Sequence, residues 1–589
     1  MKKLVSVLLS FVCAYSLKYV FYESVFKFLS NSILSIIMVI GFYLLINNVL
    51  EKDIRKGAWI FSGIMGFIYA CFTVMGNIMY YEGNIYFFDP RLFIGILLVT
   101  VTFTFIVAWI TYWIEHHEVK DVAWKFLESK YIFLVLGIVL VLVAMLAELG
   151  MYPGIVDPDN TFEFDQYMNH YYTGQHPIAH IFLMGSVFNL GNNLFGSYNS
   201  GIFMYVLLQM ILFSASFMYV LYTMRKEGVA WKYVLITYAL VAFNPVMHLF
   251  LISTTKDTIF TSFFIVSVTM IYGFIKYPEK IKDIKKVIVF IIVSVLACAF
   301  RNNAFYAYIL FALLFPLLEK KYWVYRFVSV LLICVIFFGY QKGMTAALNI
   351  EPVPAQESLG IPLQQIARVY NQVEDSFTEE EKELLFEVLP EANVVNYNGY
   401  CVDYIKFGFN SYGYRENKAP YQALWVQKLK EYPTVYLNAF LENTLFIWYP
   451  DAPLNPYDPQ HGIGKVLLPD TFVALTAIYP PEELNPKSTL LYTFYDKVAH
   501  QYYVQSVPGI SMILCVGSYF WVSVYFFLFS IYKKKWNWLF LSLLPMSYLG
   551  TLFFGPVVLT RYFMFLMTLV PAGIGLLCNM ATEYGKIND

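Results

Sequence analysis

Stretches of about twenty apolar residues recur along the chain, and they constrain its fold more than any other feature. A helix of that length crosses the roughly 30 Å hydrocarbon core of a bilayer. Only 14% of the 589 residues are charged, against roughly 25% in soluble domains, which excludes a soluble fold for most of the chain. We predict a mostly α-helical, polytopic membrane protein with about fourteen transmembrane helices, at residues 4–22, 33–50, 58–80, 92–114, 131–149, 201–223, 231–250, 258–275, 287–300, 304–318, 323–341, 508–530, 536–553 and 561–579.

Lysine and arginine clusters fall on alternate connections between these stretches, which orients the helices by the positive-inside rule. The predicted cytoplasmic clusters lie at 2–3, 52–56, 120–130, 225–226, 276–286, 320–321 and 533–535. The predicted outer segments are then 150–176, 251–257, 301–303, 342–507 and 554–560. The stretch 177–195 would reverse this order if it crossed, so we interpret it as re-entrant or juxtamembrane. We expect a multi-pass plasma-membrane protein, with the lipid bilayer as a partner and, at a net charge of −1, no nucleic acid.

Four parts follow from this topology. Residues 1–130 are N-terminal transmembrane helices, and 131–341 are a transmembrane core with an acidic outer loop at 150–177. Residues 342–507 are an α-rich extracytoplasmic domain inserted before the last three spans, and 508–589 are the C-terminal helices. The inserted part has 20 acidic and 11 basic residues, as suits an outer domain. We predict helices in it at 356–371, 378–388 and 418–447.

The acidic loop concentrates ionisable side chains after the fifth predicted span. Asp157, Asp159, Glu163 and Asp165 lie there with His176 and without a cation. Acids packed this closely either raise the pKa of one member or share a divalent metal, and both arrangements suit a general base. The alternative is a solvated acidic loop in which Asp159 and the following Asn cap a helix at 161–172.

Cations on the predicted outer side break the positive-inside trend. Lys256 stands beside Asp257 between two spans, Arg301 and Asn302 follow another span, and Arg561 opens the last one. Arginine is suited to bidentate phosphate contact, and a lipid phosphate lies at this depth. The alternatives are a snorkelling lysine and simple pairing with the nearby acids.

These segments together resemble a known plan. Pro153-Gly154, Asp157-Pro158-Asp159 and His176-Pro177, followed by Lys256-Asp257 and Arg301, are similar to the GT-C superfamily of membrane glycosyltransferases. Arg-Asn-Asn at 301–303 and the run at 361–368 also look like a branch of Gram-positive bacterial proteins near that superfamily. The four spans before residue 131 depart from the usual plan, in which the acidic loop follows the first helix.

The resemblance implies transfer of a sugar from a polyprenyl-phosphate or polyprenyl-diphosphate donor to an envelope glycan, lipid or protein acceptor on the outer face. It implies Asp159 as the catalytic carboxylate, with Asp157 and Asp165 as rivals, and Asp257 as the second-loop acid. It implies that the substrate is held by Lys256, Arg301, Asn302, Arg561 and His176. A divalent cation, Mg²⁺ or Mn²⁺, stays open because members differ in metal use.

Two other functions fit the same topology. A flippase or transporter of lipid-linked glycans would need a polar path across the whole membrane, and the predicted spans show few charges at depth. A polymerase or ligase of envelope polysaccharides would share the lipid substrates. The acidic loop favours the glycosyltransferase over this last alternative.

Overall fold

The computed structural model describes residues 2–20, 32–117, 121–122, 124–450, 486–499 and 513–585. Within these ranges the chain is helical and has no strand, only three isolated β-bridges. The helices before the inserted part are α1 Lys2–Val20, α2 Ser32–Glu51, α3 Lys56–Glu82, α4 Pro90–His116, α5 Ile132–Gly150, α6 Pro158–Asn169, α7 Ile178–Phe195, α8 Tyr198–Lys226, α9 Trp231–Ala242, α10 Pro245–Ile252, α11 Lys256–Lys276, α12 Ile284–Phe300, α13 Ala304–Leu314 and α14 Trp323–Leu348.

Short helices make up most of the inserted part, and three longer ones end the chain. The remaining helices are α15 Gly360–Gln372, α16 Glu379–Val388, α17 Glu391–Val395, α18 Asp403–Lys406, α19 Ser411–Glu416, α20 Lys418–Glu431, α21 Pro433–Asn443, α22 Leu445–Trp448, α23 Thr489–Ala499, α24 Val516–Tyr532, α25 Trp536–Leu552 and α26 Met564–Gly585. Short 3-10 helices lie at Lys125–Glu128, Pro278–Lys282, Phe315–Leu318, Lys320–Tyr322, Ala355–Glu357, Glu374–Ser376 and Thr560–Phe563.

The predicted polytopic membrane protein is confirmed. Nine helices in the described ranges are long and apolar enough to cross a membrane, and a tenth span results if α9 and α10 count as one bent helix. The bend of 57° between them falls at Pro245, which lacks the N–H that a continuous helix needs. At the other four predicted positions lie the shorter helices α12, α13, α24 and α25. The number fourteen therefore stays a prediction.

Helix α7 occupies the stretch that conflicted with the charge pattern, and it is not one of the nine long apolar helices of the described ranges. It packs closely along α8. A Cβ atom on Gly191 would lie 2.2 Å from the Cα of Gly201, and one on Gly201 would lie 2.3 Å from the carbonyl oxygen of Phe188. Both glycines are needed because no side chain fits between the two backbones.

Helices α15 to α21, here called the inserted domain, enclose a hydrophobic core of their own. The predicted helix 418–447 is three helices, because Pro433 opens a new one and Thr444 separates the next. Residues 445–449 pack into the core of the membrane helices instead. Residues 451–485 of the predicted extracytoplasmic part lie outside the described residues. The core of the inserted domain contains Leu363, Ile366, Val369, Leu385, Val388, Leu389, Val402, Ile405 and Tyr436.

Two loops of the membrane body attach the inserted domain. The first is the α3–α4 loop, where Arg368 donates to the carbonyl oxygen of Gly83 and, at 2.8 Å, to Asn84 Oδ1. The second is the loop before Thr560, where the Val402 N–H donates to the Pro556 carbonyl oxygen at 3.0 Å. The N-terminal helices therefore contact the inserted domain directly, although the two are far apart in the sequence.

The bundle has two chemically different ends. Lys256 begins α11, while Lys276 ends it and pairs with Glu227 at 2.8 Å. A helix of this length spans about 30 Å, so the two lysines lie on opposite sides of a membrane-thick layer. Arg301 directly follows α12, and Arg561 lies just before α26, at the same end as Lys256.

Candidate active site

Two loops meet through backbone hydrogen bonds and form the floor of the site. The Ile155 N–H donates to the Ile252 carbonyl oxygen at 2.9 Å, and the Thr254 N–H donates to the Ile155 carbonyl oxygen at 2.8 Å. Gly154 makes this approach possible, because its φ of +115° suits glycine and a Cβ there would lie 2.7 Å from a methyl carbon of Val206. The acidic loop and the Lys256-Asp257 loop are therefore fixed to one another.

Helix α6 begins at Pro158, three residues before the predicted start, so Asp159 is inside the helix and does not cap it. Asn160 links the parts of the loop. Its Oδ1 accepts from the Asp157 N–H at 3.3 Å and from the Thr254 hydroxyl at 3.1 Å, and its Nδ2 donates to Glu163 at 3.3 Å. Asp159 and Glu163 are four residues apart and therefore share one helix face.

Arg561 gathers three carboxylates. Its guanidinium forms an ion pair with Asp157, and it lies 3.2 Å from an oxygen of Asp159 and 3.2 Å from an oxygen of Asp257. Arg301 pairs with the other oxygen of Asp257 and lies 4.0 Å from the centre of the Tyr562 ring. We call these two arginines, the three aspartates, Lys256 and Glu163 the ion cluster.

Lys256 links the two acids of the α6 face. Its Nζ lies 3.9 Å from Asp159, 3.4 Å from Glu163 and 3.2 Å from His176 Nδ1. His180 forms an ion pair with the second oxygen of Glu163. Burial alone would raise the pKa of Glu163, but His180, Lys256 and His176 together hold that pKa well below its usual range.

His180 continues the network into the membrane helices. Its Nε2 lies 2.8 Å from the hydroxyl of Tyr205 and 3.1 Å from the Thr254 carbonyl oxygen. His180 thus contacts Glu163 through Nδ1 and the second loop through Nε2. This histidine connects the buried carboxylate of α6 to the backbone of that loop.

Exposure differs sharply among the acids of the ion cluster. The side chain of Asp159 is 41% exposed, whereas that of Asp257 is 2% and that of Glu163 is 0% exposed. Asp157 is also buried. Asp159 is consequently the carboxylate that an external molecule meets first, and the buried acids hold the cations in place.

Most of the residues singled out from the sequence come together here. Asp157, Asp159, Lys256, Asp257, Arg301, Arg561 and His176 all lie in the ion cluster or touch it. Asp165 does not, because it lies on another face of α6 and accepts from Asn169 at 2.7 Å and Tyr171 at 3.2 Å. The side chain of Asn302 forms no hydrogen bond to the cluster within the described ranges.

Glu163, His180 and Tyr205 were not selected from the sequence as site residues. No local pattern in the sequence identifies the contact between the first two. His176 and His180 flank Pro177 at the start of α7, and both contact Glu163 because α7 packs against α6 in the fold.

The acids do not form a site for Mg²⁺ or Mn²⁺ as they stand. No group of three or more His, Cys, Asp or Glu side chains in the described ranges is arranged to hold a metal ion. The three aspartates instead face the guanidinium of Arg561, which occupies the position that a shared cation would need.

An apolar cavity of about 120 Å³ lies elsewhere in the bundle. It is lined by residues from the ends of α8 and α11 remote from Lys256, such as Met224 and Tyr272, and by parts of α24, α25 and α26. It does not touch the ion cluster, and its lining suits hydrocarbon and not a charged group.

No curated protein and no solved structure matches the chain. A family model does match, over residues 167–582. The match includes His176, Lys256, Asp257, Arg301 and Arg561, and it begins after Asp157, Asp159 and Glu163. Since it covers more than half of the 589 residues, the chain belongs to the family described as "Family of unknown function (DUF6020)".

Proposed function

We propose that this protein is an integral-membrane glycosyltransferase of the GT-C type that acts at the outer face of the plasma membrane. One observation supports this most strongly. A partly exposed aspartate, Asp159, lies beside two cations, Lys256 and Arg561, at one end of a helical membrane bundle, and Arg301 pairs with the neighbouring Asp257. Transfer from a lipid-phosphate donor needs a base for the acceptor and cations for the leaving phosphate.

The orientation follows from charge. Arg225, Lys226 and Lys276 lie at the other end of α8 and α11, and positively charged loops stay in the cytoplasm. The ion cluster would then face outward, where the inserted domain also attaches. A polyprenyl chain would lie in the bilayer while its phosphate reaches Lys256 and the two arginines.

In the proposed reaction the acceptor hydroxyl oxygen attacks the anomeric carbon of the sugar. Asp159 takes the hydroxyl proton as the new glycosidic bond forms. The bond from the anomeric carbon to the phosphate oxygen breaks, and its electrons leave with the lipid phosphate. Arg561, Arg301 and Lys256 stabilise this departing charge. A single displacement of this kind inverts the configuration at the anomeric carbon.

The test is donor consumption by the purified full-length chain in lipid nanodiscs. Synthetic farnesyl-phosphate hexoses are offered with an envelope extract as the source of acceptors, and release of farnesyl phosphate is measured by mass spectrometry. We expect Asp159→Asn to lower the rate by roughly 10²–10⁴-fold, the usual contribution of a general base. Asp165→Asn is the matched control, since it removes the same charge from the same helix outside the ion cluster.

The alternatives give other results in the same experiment. A polymerase or ligase of the kind considered above would consume farnesyl-diphosphate glycans and leave the monophosphate donors intact. A flippase would move a lipid-linked glycan across the nanodisc or vesicle membrane without releasing any lipid phosphate. If the farnesyl-monophosphate donors stay intact in the presence of the unmodified protein, the glycosyltransferase proposal fails.

A further inference from the structure

All three cations of the ion cluster already have carboxylate partners. Arg301 is paired with Asp257, Arg561 with Asp157, Asp257 and Asp159, and Lys256 with Glu163 and Asp159. Four carboxylates therefore surround three permanent positive charges. A phosphate cannot reach these cations as an addition, because it would bring further negative charge into a site already rich in acid.

One of the carboxylates is held differently from the others. Asp159 meets Arg561 at 3.2 Å and Lys256 at 3.9 Å, and its side chain is 41% exposed. Asp157, Asp257 and Glu163 are buried. An exposed ion pair contributes little to stability, whereas separating a buried pair is costly, so Asp159 is the partner that a ligand displaces most easily.

Asp159 also remains stabilised by its position after it is displaced from the cations. It lies in the first turn of α6, where an acid is stabilised by the helix dipole even without a cation. The displaced carboxylate therefore stays next to the phosphate that replaces it, within reach of an incoming hydroxyl group.

We propose that Asp159 occupies the phosphate position of the empty site, and that the phosphate group of the donor displaces it from Arg561 and Lys256. Donor binding then frees Asp159 from its cations and makes it available as the base. This proposal rests on the proposed function for the identity of the donor. The exchange itself is a statement about binding alone and requires no turnover.

The exchange predicts that removing the Asp159 charge improves phosphate binding while it abolishes transfer. The probe is farnesyl phosphate, titrated into the full-length protein in detergent at low salt, with farnesol as the uncharged control. We expect Asp159→Asn to bind farnesyl phosphate about five- to tenfold more tightly than the unmodified protein, since an exposed competing ion pair is lost. We expect Arg561→Gln to bind it at least about tenfold more weakly.

Asp165→Asn controls for net charge, because it removes the same charge six residues further along α6, where the carboxylate bonds to Asn169 and Tyr171. It should leave the affinity unchanged. Asp159→Ser is a second variant that removes the carboxylate, in case Asn is poorly tolerated. If Asp159→Asn and Asp159→Ser bind farnesyl phosphate no more tightly than Asp165→Asn does, the exchange is wrong.

Titration with inorganic phosphate shows whether the site binds a lipid-linked phosphate or any free phosphate anion. Tightening seen with inorganic phosphate but not with farnesyl phosphate would overturn the assignment of the site to a lipid-linked donor. The binding result is also independent of the proposed reaction. Tightening by Asp159→Asn without any donor consumption by the unmodified protein supports the exchange and rejects the glycosyltransferase, whereas consumption without tightening does the reverse.

Discussion

Two buried arginines hold this molecule together in different ways. Arg368 joins the inserted domain to the α3–α4 loop through the Gly83 carbonyl oxygen and Asn84, while Glu442 and Tyr397 bind it from within the domain. Arg561 faces three carboxylates, and one of them, Asp159, is open to solvent. The partners of Arg368 are fixed and mostly neutral, so a ligand could replace them only if the inserted domain separated from the α3–α4 loop. An arginine becomes a site for an exchangeable anion when one of its partners is anionic and exposed.

The largest expected effect is on stability, and it tests the contact of Arg368 with the α3–α4 loop. Arg368→Ala leaves Glu442 buried without its cation, and burial already raises the pKa of that carboxyl even though Arg368 and Tyr397 lower it. We expect a loss of about 3–5 kcal/mol in the free energy of unfolding. Chemical unfolding in detergent measures this. Arg415→Ala, an exposed arginine of the same domain, should cost far less, and equal losses for the two variants would show that Arg368 is no joint.

The next effect is stabilisation by a ligand, which should depend on Arg561 and not on the contacts of Arg368. Farnesyl phosphate at about 100 times its Kd should stabilise the unmodified protein by about 2.7 kcal/mol, because it binds the folded state alone. Arg561→Gln should lose this thermal shift. Glu442→Gln, a change in the Arg368 joint, should retain it. A shift that survives in Arg561→Gln would remove the distinction between the two regions.

A smaller effect depends on pH through Glu163. The pKa of this carboxyl in the folded protein lies below its ordinary value of 4.5, because His180, Lys256 and His176 outweigh burial. Its contribution to stability is therefore complete above about pH 4.5 and is lost as the pH falls through the lowered pKa, at about 1.4 kcal/mol per pKa unit. Asp159 and Tyr205 also face this network.

Comparing unfolding of the unmodified protein with Glu163→Gln between pH 3 and 7 measures that contribution. The two proteins should differ most near neutral pH and converge in acid. Glu391→Gln, an exposed carboxyl of the inserted domain, provides a control. A difference that grows as the pH falls would have the wrong sign and would reject the assignment of Glu163 as a stabilising anion.

The smallest expected effect is at Asp165. Its partly exposed carboxyl accepts hydrogen bonds from the nearby side chains of Asn169 and Tyr171. We expect Asp165→Asn to change the free energy of unfolding by no more than about 0.5 kcal/mol and to leave farnesyl phosphate binding unaltered. Thermal unfolding with and without the lipid phosphate checks both. A large change in either would place Asp165 back in the site.

The sequence allowed the gathering of charges to be anticipated, since loops at one end of a bundle lie near each other and unexpected cations there need anions. It did not show which acid faces which cation. Only the capping alternative places Asp159 relative to a helix, and it puts Asp159 before the start. In the structure Asp159 lies within α6, with Glu163 on the same face and Asp165 on another.

The contact between Glu163 and His180 could not be predicted from the sequence for another reason. His180 lies in a mostly apolar stretch, and its contact with Glu163 depends on α7 returning along α6 and on the close glycine packing of α7 with α8. Likewise, Arg368 meets residues 83–84 across more than 280 positions of the chain. Contacts of that range follow from tertiary packing and leave no local pattern.

The two attachments of the inserted domain also connect parts of the chain that lie far apart in the sequence. One is the α3–α4 loop, which lies outside the family match, and the other is Pro556, five residues before Arg561. The inserted domain therefore bridges the first four helices and the segment that carries Arg561.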